Sequence, residues 1–124
     1  MKKLLSSCLV VFLISSNGFA FDWKRNWSVQ DSILQGSFIL IASVDWLQTR
    51  YIATHPHFKE SNPILGKETS LTKINSYFSI CIIGQTLISY ILPNPYRVIW
   101  QSFWIGFETN TIAYNYNAGI KLKF

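Results

Sequence analysis

The chain has 124 residues, 49% of them hydrophobic, 16% aromatic and only 14% charged. That is room for one domain, with far less charge than the roughly 25% of an ordinary soluble one, and it points to a membrane. The net charge of +5 is spread out. With no basic cluster interleaved with aromatics, it gives a nucleic-acid partner no support and suits contact with an anionic lipid bilayer.

Residues 1–20 have the layout of a signal peptide. Lys2 and Lys3 precede an apolar core at 4–14, and Gly18 and Ala20 supply small residues before a cut that leaves Phe21 first. An uncleaved first helix is the alternative, but the core is short for a span. The mature chain, 21–124, then forms a single membrane domain. In its opening stretch, Trp23 and Trp27 beside Lys24 and Arg25 suit an anchor at headgroup level. Removal of the leader takes Cys8 with it and leaves Cys81 as the only thiol, which rules out an intramolecular disulfide or a Cys-based metal cage. In its apolar run Cys81 is expected to be buried.

The first helix is predicted over about 32–52, capped by Asp31 or Ser32. The connection from 54 to 70 holds Pro56, Pro63 and Gly66, so it is not one continuous helix. Ser70 caps a second apolar segment, 74–92, which contains no charge at all. Pro93-Asn94-Pro95 turns the chain into a third helix over about 96–116. From Ile112 to Phe124 apolar and polar residues alternate, as on the closing strand of an outer-membrane barrel. A barrel needs at least eight such strands, and the preceding segments do not alternate. The milder expectation is a short extended C-terminal tail, with an outer-membrane protein bearing a C-terminal β-signal as the alternative.

Three segments of about 20 residues each match the length a helix needs to cross a hydrocarbon core near 30 Å. A soluble bundle would need charged outer faces, and a helix apolar all round is buried in protein or lipid. The expected fold is therefore an all-α membrane protein, a three-transmembrane-helix bundle. Arg50, Lys59, Lys67, Lys73, Lys121 and Lys123 fall on one side, and Lys24, Arg25 and Arg97 on the other. The positive-inside rule then predicts a bacterial inner-membrane protein with its mature N-terminus periplasmic and its C-terminus cytoplasmic.

Asp45 and Glu108 lie inside these apolar segments. A charge at membrane depth costs about 2.5–3.5 kcal/mol on insertion scales, so two carboxyls predict a polar site between helices. Helical spacing puts Asp45, Gln48 and Thr49 on one face as a patch about one turn long. Gln101, Trp104, Glu108, Thr111 and Asn115 share a face of the third helix, and Asn75, Ser79, Thr86 and Ser89 a face of the second. Asp45 with Glu108 would either share a proton, because like charges in low dielectric do not both ionise cheaply, or ligate a cation. For the hydroxyls and amides, simple helix-to-helix adhesion is the competing explanation. In the connection, Asn62 before Pro63 can cap a short helix whose N-terminus tolerates an anion. His55, His57 and Glu60 are a weak candidate metal set, since HPHxxE is not a specific signature.

Taken together, Asp45-x-x-Gln48-Thr49, Glu60-x-Asn62-Pro63-x-x-Gly66, Glu108 and Asn115 resemble small multi-span bacterial and phage-borne membrane proteins of unknown function. These carry an intramembrane Asp and Thr and a Glu-x-Asn-Pro after the first span. The resemblance covers about residues 40–120; it implies a helical membrane fold and brings no activity or cofactor. Three functions compete. The first is an intramembrane site for a cation, proton or small ligand; the second is a holin-like permeabilising protein acting as a homo-oligomer. The third is a membrane-embedded enzyme, which is disfavoured because G-x-S-x-G, HExxH and a phosphate loop are all missing.

Overall fold

The computed structural model describes residues 27–67 and 69–124; the expected signal peptide and the stretch holding Trp23, Lys24 and Arg25 lie outside them. Three helices follow in order: α1, Val29–Thr54; α2, Leu71–Ile91; and α3, Tyr96–Asn117. No strand occurs among the described residues. By length and composition, α2 is the one helix among them long and apolar enough to cross a membrane.

Helix α1 begins earlier than its sequence suggests, because Ser28 is the cap. The Asp31 amide donates to Ser28 Oγ at 3.1 Å, and the Ser28 amide donates to Asp31 Oδ2 at 2.9 Å. This reciprocal capping box makes Asp31 the third helical residue and not the cap. Helix α2 likewise starts at Leu71, where Ser70 Oγ accepts the Lys73 amide at 3.1 Å. It ends before Pro93, with Leu92 extended at ψ 138°, as a following proline requires.

The alternating segment from Ile112 is not a strand. Residues 112–117 continue α3, because each added residue of an existing helix gains a hydrogen bond, while a lone strand has no partner. The helix stops at a turn in which the Gly119 and Ile120 amides donate to the Tyr116 and Asn115 carbonyls, both at 3.0 Å. Gly119 sits at φ +84°, the left-handed conformation that this type of helix end needs. Ile120 is buried, and the Lys123 amide donates to the Leu47 carbonyl at 3.0 Å, so the tail folds back onto α1.

Helix α1 packs against both others, most extensively against α3, while α2 and α3 touch least. Asp31 reaches Arg97 near the starts of α1 and α3, and Gln48 reaches Asn115 near their ends, so these two run parallel. Helix α2 is antiparallel to α1, joining it through Gln35–Gln85 and Trp46–Asn75.

Burial in this bundle is inverted. Asp31, Gln35, Asp45, Gln48, Gln101 and Glu108 are among the buried residues, while Ile33, Leu40, Ile80, Ile83, Leu87 and Ile99 are exposed. On the three helices, Lys73 in the first turn of α2 is the one charged side chain that is exposed. Cys81, expected to be buried, is on the exposed apolar face. The buried apolar cluster is small and sits at the loop end: Leu65, Ile74 and Phe78, flanked by Trp46, Ala53 and Tyr77. Trp46 stacks on Phe78 at 5.8 Å. Leu65 belongs to the connection, so that segment is built into the bundle and does not simply link two helices.

Candidate functional site

Two polar clusters lie along the seam between α1 and α3. The first is near the start of both helices. Arg97 Nη1 donates to Asp31 Oδ2 at 2.8 Å, and Nε donates to the Ser89 carbonyl at 2.8 Å. Both side chains of the ion pair are buried, and the Arg97 guanidinium lies 4.9 Å from the centre of the Trp27 ring. The Ser28 amide and hydroxyl and the Arg97 guanidinium all donate to Asp31 Oδ2, so this buried carboxylate is fully compensated. One turn further in, Gln35 Nε2 donates to Gln85 Oε1 at 2.7 Å and Thr86 Oγ1 at 2.9 Å. Gln101 Nε2 donates to Gln35 Oε1 at 3.2 Å, completing a three-helix amide junction.

Phe38 and Ala42, each 2% exposed, separate this cluster from the second. There, α1 supplies Asp45, Gln48 and Thr49, and α3 supplies Glu108 and Asn115, all buried. Asn115 Nδ2 donates to Asp45 Oδ1 at 3.4 Å and to Gln48 Oε1 at 3.1 Å. Gln48 Nε2 donates to the Ile112 carbonyl at 3.3 Å. The Asp45 and Glu108 carboxyls lie close enough for the charge of one to act on the other. Glu108 Oε2 is buried with no hydrogen-bond partner. Two neighbouring buried carboxyls do not both ionise cheaply without a proton or a cation to offset them. Among the described residues the Asp31–Arg97 contact is the one ion pair, so this second pair has no basic side chain to balance it.

The remaining expected residues divide by position. Thr111 is outside the cluster, since its Oγ1 donates to the Phe107 carbonyl of its own helix at 3.1 Å. Asn75 serves the α1–α2 contact instead, with Oδ1 accepting from Trp46 Nε1 at 2.9 Å and Arg50 Nη1 at 2.8 Å. Ser89 donates to the Gln85 carbonyl at 2.9 Å within α2. Asn62 starts a turn and not a helix: its Oδ1 accepts the Ile64 amide at 3.0 Å, and the chain turns over residues 63–65. No anion-binding helix N-terminus therefore forms there. The His55 ring stacks on Tyr51 at 3.7 Å with Nδ1 2.9 Å from the Tyr51 carbonyl, whereas His57 is exposed. Among the described residues no group of three or more His, Cys, Asp or Glu side chains is placed to hold a metal ion.

Sequence reasoning overlooked Asp31, Gln35, Gln85 and Arg97 as buried polar residues. The signal was present in α1, where 31, 35, 38, 42, 45, 48/49 and 52 step along one helical face and are all buried. Asp45 is thus near the end of a long stripe and not at the head of a short patch. No protein-family model, no curated protein and no solved structure matches the chain.

Proposed function

We propose that the chain is a small integral membrane protein whose three helices all cross the bilayer, and whose Asp45–Glu108 pair is an intramembrane site for a proton or small cation. The observation that carries this reading is the contrast between two buried acids on one helix. Asp31 is neutralised by Arg97, whereas Asp45 faces a second carboxyl and no basic group. An uncompensated charge does not stay ionised in low dielectric, so the neutralising partner comes from solution.

The inverted burial supports three spans. At about 1.5 Å per residue, the 26 residues of α1 and 22 of α3 are long enough to cross. Their average hydropathy is lowered by the buried stripe, while their outer faces present Ile33, Leu40, Ile99 and Phe103. Intramembrane ionisable groups that face a bundle interior mark ion or proton sites. Because the polar groups turn inward within a single chain, this reading is favoured over a pore assembled from several copies. Lysines in the connection and tail support a cytoplasmic loop end.

Infrared difference spectroscopy of the reconstituted protein tests the site. A protonated-carboxyl C=O band is expected that shifts or disappears in both Asp45→Asn and Glu108→Gln, with membrane insertion unchanged. Loss of the band on adding Na⁺ at fixed pH would identify a cation that replaces the proton. A spectrum that is the same in wild type and both variants contradicts the proposal.

A further inference from the structure

The hydrogen bonds of the second cluster run in one direction. A backbone carbonyl has no hydrogen to donate, so the Ile112 carbonyl of α3 can only accept. The Gln48 side chain therefore meets it with Nε2, at 3.3 Å, and turns Oε1 towards Asn115. That oxygen takes a hydrogen from Asn115 Nδ2 at 3.1 Å, and the same nitrogen donates to Asp45 Oδ1 at 3.4 Å. One main-chain group thus sets the orientation of both amides, and Asp45 is met by an N–H and not by an amide oxygen. Trp104, one turn before Glu108 on α3, adds a buried Nε1–H with no hydrogen-bond partner.

A metal cation and a proton make different demands on such a cluster. Mg²⁺ needs about six ligands and Ca²⁺ about six to eight oxygens, and Na⁺ sites in helical membrane proteins draw carbonyls from unwound stretches of helix. Here α1 and α3 run unbroken through the cluster, as Val29–Thr54 and Tyr96–Asn117. Of the side-chain oxygens besides the carboxyls, Gln48 Oε1 is already an acceptor, and Thr49 brings one hydroxyl. A shared proton asks only for one oxygen from each of two neighbouring acids, and Glu108 Oε2 is buried without a partner. The ionisable groups around the pair do not alter this. Tyr77 and Cys81 of α2 and Glu60 of the connection bring no positive charge. Arg50, further along α1, is turned to α2, where its Nη1 donates to Asn75 Oδ1 at 2.8 Å. Arg97 is held by Asp31 at the far end of the seam, and Lys123 of the tail is exposed and meets α1 through its main-chain amide.

Resting on the reading of Asp45–Glu108 as an intramembrane site for a proton or small cation, we propose that its ligand is a proton, and that Asn115, oriented by Gln48 on the Ile112 carbonyl, is the positioning residue that shuts out metal cations. Asn115 keeps an N–H where a cation would need an oxygen. The step is a simple transfer: a carboxylate of the pair takes one proton from water and later returns it, so only O–H bonds form and break.

The test follows the carboxyl C=O band of the reconstituted full-length protein through pH titrations in choline, Na⁺, K⁺, Mg²⁺ or Ca²⁺ chloride at matched ionic strength. A cation that competes for the site lowers the midpoint by about one pH unit for each tenfold rise in its concentration. Wild type is expected to keep one midpoint in every salt. Asn115→Asp, which puts an oxygen where the N–H stood, is expected to make the midpoint fall as Na⁺ or Ca²⁺ is raised. Gln48→Glu makes the same exchange on α1 and carries the test if Asn115→Asp does not insert. A merely structural amide would change stability and bring no such cation dependence. A wild-type midpoint that falls with any of these cations overturns the proton assignment while leaving Asp45–Glu108 as a site, and cation independence in both variants overturns the part given to Asn115. A band that is insensitive to pH and to Asp45→Asn and Glu108→Gln overturns both readings.

Discussion

Arg97 and Asp31 show how little a residue's type reveals about its work. In sequence, one was an orientation charge and the other a helix cap, yet they meet as the fully buried ion pair of the bundle. Removing one member leaves the other uncompensated, which typically costs about 3–5 kcal/mol. Arg97→Met is therefore expected to lower the unfolding free energy by that order in a denaturant titration followed by circular dichroism in mild detergent. Combining it with Asp31→Leu should recover most of the loss. Asp45 and Glu108 were legible because a carboxylate in an apolar run has few explanations. Asp31 and Arg97 were not, because at a helix end either residue has an ordinary reason to be present.

At the scale of elements, all three helices were legible from apolar length and turn residues; Ser70 caps the second as expected, while the first starts earlier because its cap is Ser28. The exception was the C-terminal alternation, where a period of two ran through the last turns of α3. The six residues of the alternation that fall within α3 do not outweigh a helix already under way, and Gly119 marks where it stops. Gly119→Ala is expected to cost about 1–2 kcal/mol through its left-handed φ. Faster hydrogen exchange at the Ile120 and Lys123 amides would report the loss locally. The connection was the least legible element, because its anchoring depends on Leu65 meeting Ile74 and Phe78 across a turn. Leu65→Ala should cost about 2–5 kcal/mol and speed tryptic cleavage after Lys59 and Lys67. Unchanged cleavage would mean that the connection is held by something else.

For the whole molecule, the informative property is the exchange of inside and outside: amides and carboxyls within, isoleucines and leucines without. Composition alone did not reveal this, since averaging over a helix merges its two faces. Cys81 is a useful probe of the proposed lipid setting, because it sits on the outer face at the middle of α2. In a Cys8→Ser background, Cys81 should resist a membrane-impermeant maleimide in intact membranes and react fully once solubilised and unfolded. Three crossings are tested most directly by reporter fusions after Thr54, Asn94 and Phe124. Three spans put the Thr54 and Phe124 fusions on the cytoplasmic side and the Asn94 fusion on the periplasmic side. Reporters that all fall on one side would contradict the three-span bundle and, with it, an intramembrane setting for Asp45 and Glu108.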